Sequence, residues 1–477
     1  MITEANRRWW VLTGASTGLF VLMLDSTVVA LALPSIRVDL GASTSELQWV
    51  QNVYLLAMAA LVVTLARSGD LFGRRRLFVA GLLTFGLGSV VSATAGQMIQ
   101  LIAGRALQGV GAAALLGLSL AIATVAFPAE QRDRALGIWA AVSSIALAIG
   151  PLVGGTIIEL ASWRWIFWLN VPLLAVAVAI VAAATPETRD ETAGHRLDIP
   201  GLVTITLGLT AVVLALVQGK QWGWESPTTL GVLAAGIAFL ALFAYVELRV
   251  REPIMDLHLF RSGPYFGATA AAFALVGSYW TFMFFIPQYL ELGLDYSTFA
   301  SGLLILPVTA PMVVISPLAG KLVGRLGARA LMTAGMALSA LGALLVALAD
   351  DGGDYVNLLP GLLLFGVALG LVYAPLAAAA MSALPVEKAG VAAGVLSMSR
   401  TVGGALLLAV CGAVYQHVEI ESRADGDALP QALGHALSGG MFVVAAVLLL
   451  GTVMTAIFIR SAPGEPHEHH RHRHFHL

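Results

Sequence analysis

Two ionisable side chains occur in the middle of apolar stretches of the sequence. Asp25 is the one charged residue in LFVLMLDSTVVALALP (19–34), and Arg105 lies inside the apolar run 98–127. Charged groups are costly inside a bilayer, where they face a cavity or a partner and commonly carry function. The residue types therefore suggest either an ion pair that locks two helices together or a carboxylate that takes up and releases a proton.

The positions of these two residues along their helices favour an interaction. At 1.5 Å per residue, Asp25 lies about 13 Å from the end of its run at Pro34, and Arg105 lies about 10 Å from the start of its own run. Burial favours the neutral form of a carboxylate, whereas a neighbouring arginine favours the ionised form. A rearrangement that changed their separation would therefore load or release a proton.

The composition indicates a polytopic membrane protein. Hydrophobic residues make up 58% of the 477 residues and charged residues only 11%, against roughly 25% charged in soluble domains. Fourteen runs have the length of about 20 residues that one bilayer crossing needs. The net charge of −2 gives no case for nucleic-acid binding, and the single Cys411 excludes an internal disulfide. No phosphate-binding loop, catalytic triad or closed metal site is found, which argues against an ATP-driven pump or a membrane enzyme.

The basic residues predict the orientation, because cytoplasmic loops carry an excess of Lys and Arg. With both termini in the cytoplasm, twenty of the 26 basic residues fall in inner segments and four in outer loops. Arg105 and Arg400 are the two that remain inside the membrane.

An internal repeat divides the chain into two six-helix halves. ARSGDLFGRRR (66–76) has a counterpart in GKLVGRLGARA (320–330), and the same offset carries Gly150 onto Gly404. Repeats of this kind are frequent in transporters. We therefore predict an all-α integral membrane fold with 14 transmembrane helices, whose parts are an N-terminal half (1–190), a two-helix insert (191–262), a C-terminal half (263–462) and a His-rich tail (463–477).

Several of these segments resemble signature motifs of the major facilitator superfamily, specifically its fourteen-helix drug/proton antiporter branch. They are LDSTVVALALP, GDLFGRRR, RALQGVGAA, AIGPLVGG, WRWIFWLNVP and RTVGG, in this order along the chain. The resemblance implies the major facilitator fold and export of a small lipophilic drug or natural product by alternating access. It also implies a cofactor-free antiporter, driven by the proton gradient across a bacterial cytoplasmic membrane and functional as a monomer.

The resemblance also implies roles for particular residues. Asp25 and Arg105 would couple transport to protons, although the family usually has Asn where this chain has Ala30. The helix 5 motif resembles that of exporters rather than that of importers. Its residues are Gly150, Pro151, Gly154 and Gly155. A gating motif would hold the cytoplasmic ends of the two halves together in the outward-open state. Its residues are Asp70, Gly73, Arg74 and Arg75, and Asp70 is expected near the N-terminus of helix 3.

The substrate cavity is expected to include Tyr54, Trp139, Phe282 and Arg400. Residues 297–320, which some relatives use for a second carboxylate, contain no acid. A divalent cation is therefore a poor candidate, and a lipophilic monocation or a neutral compound fits better. The presence of Arg400 within the membrane either supports this interpretation or means only that its side chain binds backbone carbonyl groups.

Two other functions stay open at this stage. An importer or symporter of the same fold would move substrate inward with protons, and a non-transporting membrane sensor would leave Asp25 without a coupling role. The six histidines of HEHHRHRHFHL could bind metal or sense acid, but their irregular spacing favours a terminal tract without function.

Overall fold

The computed structural model describes residues 2–4, 6–189, 197–349, 354–384 and 389–459. These residues are mostly helical and contain no strand. The predicted His-rich tail 463–477 and residues 191–196 of the predicted insert lie outside the described residues. The helices are α1 Arg7–Leu40, α2 Thr44–Phe72, α3 Arg74–Ala93, α4 Met98–Val125, α5 Ala129–Leu160, α6 Arg164–Ala184, α7 Ile199–Trp222, α8 Pro227–Glu247, α9 Gly263–Gln288, α10 Thr298–Leu304, α11 Leu306–Ala347, α12 Tyr355–Ser382, α13 Ala389–Ala424 and α14 Leu429–Phe458.

Thirteen helical segments of the described chain are long and apolar enough to cross a membrane. One of them, Thr298–Ala347, has 50 residues, or about 75 Å, which far exceeds the bilayer core of about 30 Å. This segment leaves helical geometry at Gly327, with φ 77° and ψ 152°. It therefore supplies two crossings, α10 with the first part of α11 and then the rest of α11, in agreement with the predicted fourteen.

The backbone repeats the pattern found in the sequence. Gly73 has a φ of 120° and Gly327 a φ of 77°, and the offset of the repeated motifs carries one glycine onto the other. The same offset relates Phe72 to Leu326, which are 60% and 56% exposed. Each half thus turns at a glycine with positive φ, with an exposed apolar side chain just before it.

The inserted helices lie beside the two halves. α7 packs against α8, α2 and α13, whereas α8 packs mainly against α7. Helices α2 and α13 belong to different halves and also pack against each other. The insert therefore covers one junction between the halves from outside.

Glycines of α5 allow it to contact both halves closely. A Cβ at Gly150 would lie 1.8 Å from Oγ1 of Thr27 on α1, and a Cβ at Gly155 would lie 2.9 Å from the carbonyl oxygen of Thr298 on α10. Small residues allow helices to approach this closely in membranes. The helix 5 motif is thus a packing surface with α1 on one face and α10 on another.

The two halves meet where α1 and α5 end and where α2 and α10 begin, which we name the closed end. The backbone N–H of Phe299 donates to Oε2 of Glu159 at 3.3 Å, and Oγ of Ser45 donates to Oε1 of Gln416 at 3.4 Å. The turns at Gly73 and Gly327 lie at the opposite end of the bundle. There a Cβ on Gly327 would find no atom within 4 Å.

Gly327→Ala tests the break in α11. The φ and ψ of Gly327 lie in a region that is essentially restricted to glycine, so a Cβ should cost about 1–3 kcal/mol. We expect a lower thermal unfolding temperature of the purified protein in detergent. Gly324→Ala is the matched control, since its Cβ also has open space and its φ is not positive. Equal unfolding temperatures for the two variants would contradict the assignment of strain to Gly327.

Gly150→Ala tests the contact between α5 and α1. The added Cβ would overlap Oγ1 of Thr27, and overpacking of this kind typically costs about 1–3 kcal/mol. We expect a loss of thermal stability that Thr27→Ala partly reverses in the double variant, because contacting residues are energetically coupled. Gly137→Ala on the same helix meets no atom within 4 Å and should be neutral. Additive effects of the two substitutions would argue against the contact.

Candidate proton-coupling site and substrate cavity

Asp25 and Arg105 form a buried ion pair between α1 and α4. Nη1 of Arg105 lies 2.7 Å from Oδ2 of Asp25, and the side chains are 0% and 1% exposed, respectively. An isolated charge would be very unfavourable here, so each group depends on the other. The similar depth predicted from the sequence corresponds to a direct contact in the structure.

Other helices complete the hydrogen bonds of the Asp25 carboxylate. Oδ1 accepts from Nε2 of Gln108 at 3.1 Å and from Nδ2 of Asn170 at 2.7 Å. Both amides also donate to Oγ of Ser89, at 2.9 and 3.3 Å. The carboxylate of Asp25 thus accepts hydrogen bonds from side chains of two other helices, Arg105 and Gln108 of α4 and Asn170 of α6.

Arg105 has partners from α2 as well. Its Nε donates to the carbonyl oxygen of Val50 at 3.2 Å, and its Nη1 also donates to Oε1 of Gln108 at 2.8 Å. Its guanidinium carbon lies 4.2 Å from the centre of the Tyr54 ring, within the range of a cation–π interaction. Nη2 is buried without a hydrogen-bond partner. Movement of either Asp25 or Tyr54 would therefore disturb the arginine.

The sequence analysis did not identify the residues Gln108, Asn170 and Ser89. Gln108 lies three residues after Arg105, so helical geometry places it on the same face. Asn170 and Ser89 are polar residues within apolar helices. Such residues are the available sequence signal, because polar side chains in a membrane helix seek partners on neighbouring helices.

A cavity lies between the two halves. Aromatic, methionine and leucine side chains dominate its wall, and neither α7 nor α8 contributes a lining residue. The lining residues are Leu22, Met23, Ser26, Tyr54, Met58, Leu116, Leu147, Val276, Tyr279, Trp280, Met312, Leu369, Tyr373, Ser397, Arg400 and Thr401.

The four residues predicted for the cavity are found in different environments. Tyr54 and Arg400 line it. Phe282 is fully buried and stacks on Phe365 with ring centres 4.1 Å apart. Trp139 packs against a small apolar cluster that includes Phe127, away from the cavity. Helix periodicity could not separate these cases, since the cavity wall and the packed core use the same residue types.

Asp25 itself is not on the cavity wall in this conformation. Its side chain is 1% exposed, and Tyr54 touches both the cavity and Arg105. This conformation therefore does not provide direct contact between a substrate in the cavity and the Asp25 carboxylate. Tyr54 and Arg105 connect the two sites instead.

The gating motif forms the turn between α2 and α3. Asp70 lies in the last turn of α2, four residues before Arg74, the first residue of α3. Its Oδ1 lies 2.7 Å from Nε of Arg74. Gly73 supplies the positive φ of the turn between these two residues.

The segment after α6 binds this turn through Glu187, which the sequence analysis missed. Oε1 of Glu187 accepts from the backbone N–H of Arg75 at 3.1 Å, and its Oε2 lies 3.5 Å from Nε of Arg76. A Cβ on Gly73 would lie 2.5 Å from the same carboxylate, so glycine is needed here for space as well as for φ. The positions of α3 and α6 are thereby coupled at this end of the bundle.

The chain is similar in sequence to a known family of proteins. The family model described as Major Facilitator Superfamily matches residues 15–408. The chain is 36% identical to "Multidrug resistance protein Stp" of Mycobacterium tuberculosis over 84% of its length and 75% of that protein. It is 35% identical to "Puromycin resistance protein pur8" of Streptomyces alboniger over 95% of its length and 92% of that protein.

A solved structure shows the same fold. The xylose transporter XylE from E. coli aligns over 97% of this chain and 100% of its own with a TM-score of 0.66, although sequence identity is 14%. The likeness to this structure is one of fold, across almost the whole of this multi-pass membrane protein. The chain belongs to the Major Facilitator Superfamily.

Proposed function

We propose that the protein is a proton-coupled antiporter that exports lipophilic drugs or natural products from the cytoplasm. The observation that carries this proposal is the buried Asp25–Arg105 ion pair next to an apolar cavity, with Tyr54 in contact with Arg105 and in the cavity wall. The names of the relatives Stp and pur8 support drug export. No cofactor is required, because the proton gradient supplies the free energy.

The orientation follows from the basic residues. With the motif turns at Gly73 and Gly327 in the cytoplasm, the arginine-rich segments lie inside, as the positive-inside rule requires. The closed end then faces outward and the conformation is inward-facing. We place the protein in the bacterial cytoplasmic membrane with both termini inside, and we expect the monomer to be the functional unit.

Coupling requires that the proton change the structure around the cavity. When Asp25 binds a proton, its carboxyl group loses its charge and Arg105 becomes a buried cation without a counter-charge. An unpaired buried charge is strongly unfavourable, so the arginine should shift together with Tyr54, which packs on it. The shape and hydrogen bonding of the cavity wall therefore depend on the protonation of Asp25.

The cycle follows from this dependence. In the proposed cycle, Asp25 releases its proton to the cytoplasm and pairs with Arg105 in the inward-facing state, and the cavity accepts substrate. In the outward-facing state a proton from outside neutralises Asp25, and the altered wall releases substrate. One proton therefore enters the cell as one substrate molecule leaves, although the proton and the substrate never contact each other directly.

Asp25→Asn should abolish proton-driven transport. Asparagine keeps the size and hydrogen bonding of Asp25 but cannot titrate, so downhill exchange should stay measurable in proteoliposomes while accumulation driven by a pH difference is lost. A susceptibility panel in an efflux-deficient bacterial host, beginning with puromycin, first identifies a transported compound. Asp39→Asn is the matched control, because Asp39 is on the same helix but pairs with Arg164 at the protein surface. Uphill accumulation by the Asp25→Asn protein would show that the coupling site is elsewhere.

Asp70→Asn should shift the conformational equilibrium toward the inward-open state. The substitution removes the charge that pairs with Arg74, which we expect to hold the cytoplasmic ends together when the transporter is outward-open. Spin labels at positions 72 and 326 are suited to the measurement, because Phe72 and Leu326 are both exposed at the two motif turns.

We expect longer distances between these labels in Asp70→Asn than in the parent protein, together with slower transport. The buried Cys411 is replaced by Ala in all samples to leave two labelling sites. Gly324→Asn is a control that adds an amide at the related position of the second turn. Identical distance distributions with Asp and with Asn at position 70 would exclude a role of Asp70 in holding the cytoplasmic ends together.

A further inference from the structure

Arg400 on α13 is the one charged residue in the wall of the central cavity, among the described residues. We propose that Arg400, with Tyr373 and Tyr279, forms a subsite for an acidic group on an aromatic substrate, such as a carboxylate or a phenolate. This assignment deepens the proposed export function and rests on it. The sequence had instead favoured a lipophilic monocation or a neutral compound.

The contacts of Arg400 leave it available to a ligand. Its guanidinium carbon lies 4.8 Å from the centre of the Tyr373 ring, which orients the planar group. Its Nε is buried without a hydrogen-bond partner. A guanidinium with free donors in an apolar cavity binds planar anions well, because two parallel N–H groups match the two oxygens of a carboxylate.

The neighbouring polar groups can also donate hydrogen bonds. The hydroxyl of Tyr279 is buried and has no partner, and the hydroxyl of Tyr54 is in the same situation. Thr401, in contrast, already uses its hydroxyl on the carbonyl oxygens of Ser397 and Met398 at 3.1 and 3.0 Å. Unpartnered buried donors are costly, so an oxygen-rich ligand would satisfy groups that the protein leaves unpaired.

A cationic substrate would find no comparable partner. No acidic residue lines the cavity in the part of the chain that the structure describes, and Asp25 is already held by Arg105, Gln108 and Asn170. A cation in the cavity would also meet the field of Arg400, which the apolar wall screens poorly. Electrostatics therefore favour an anion first, a neutral compound second and a cation last.

The rest of the wall fits an aromatic ring system. Tyr373 and Trp280 offer ring faces, and Met58 and Met312 supply flexible apolar contacts that adapt to different shapes. The cavity thus combines one fixed cationic anchor with an adaptable apolar surface. Such a site would accept several ring systems that share an acidic group.

Three anthracene probes of matched shape test the charge preference. They are anthracene-9-carboxylate, the neutral anthracene-9-methanol and the cation (anthracen-9-yl)methylammonium. Binding is measured at neutral pH without any gradient, by energy transfer from tryptophan to anthracene in lipid nanodiscs, with protein-free nanodiscs correcting for partitioning. We expect the carboxylate to bind at least about tenfold more tightly than the ammonium probe.

Arg400→Gln should weaken carboxylate binding by about tenfold to hundredfold, with a change of less than about threefold for the alcohol. Arg400→Lys keeps the charge and should retain part of the preference. Tyr373→Phe keeps the ring below the guanidinium and should change binding little. Size-exclusion profiles and thermal unfolding establish that each variant is folded.

The proposal is overturned if the ammonium probe binds the parent protein as tightly as the carboxylate or more tightly. It is also overturned if Arg400→Gln leaves carboxylate binding unchanged, or if none of the probes binds below about 1 mM. The Asp39→Asn protein should keep the same preference, since Asp39 pairs with Arg164 at the protein surface and does not line the cavity. If the protein prefers the anion but does not transport any compound, the export function is refuted and the subsite proposal remains supported.

Discussion

The ion pair between Asp25 and Arg105 is the interaction on which the first half of the molecule depends. A carboxylate and a guanidinium that are almost fully buried need each other and additional hydrogen-bond partners to offset the loss of water. Meeting that requirement brings together α1, α3, α4 and α6 through Asp25, Ser89, Gln108 and Asn170, and adds α2 through Val50 and Tyr54. Close helix packing around these groups also excludes water, which strengthens the attraction between the two charges.

The separation of the proton site from the cavity decides how coupling can work. Asp25 and Arg400 belong to different halves, and neither touches the other in the described contacts. Tyr54 links them, as it lies against Arg105 on one side and lines the cavity on the other. Coupling through a shared side chain does not require the substrate to carry a charge opposite to that of the proton site. In the proposed mechanism, Arg400 in the cavity wall binds the substrate and the carboxylate behind the wall binds the proton.

The sequence predicted the features that depend on composition and repetition. Runs of apolar residues gave fourteen crossings, and the repeated motif aligns Gly73 with Gly327, which both have positive φ in the structure. The depth of Asp25 and Arg105 could be derived from helix rise alone. The direction in which each side chain faces could not, because lipid and protein core are both apolar and a membrane helix is hydrophobic all round. For that reason Phe282 and Trp139 were placed in the cavity, and Glu187, a tertiary partner distant in sequence, was missed.

Infrared difference spectroscopy of the protein in lipid bilayers, between acidic and neutral pH, tests most directly whether Asp25 takes up and releases a proton. A protonated carboxylic acid has a carbonyl stretching band that an ionised carboxylate or an amide lacks. The account predicts that one such band appears on acidification of the parent protein, is missing from the Asp25→Asn protein and persists in the Asp39→Asn protein. Identical difference spectra for the parent and Asp25→Asn proteins would contradict it, since Asp25 would then remain in one protonation state throughout.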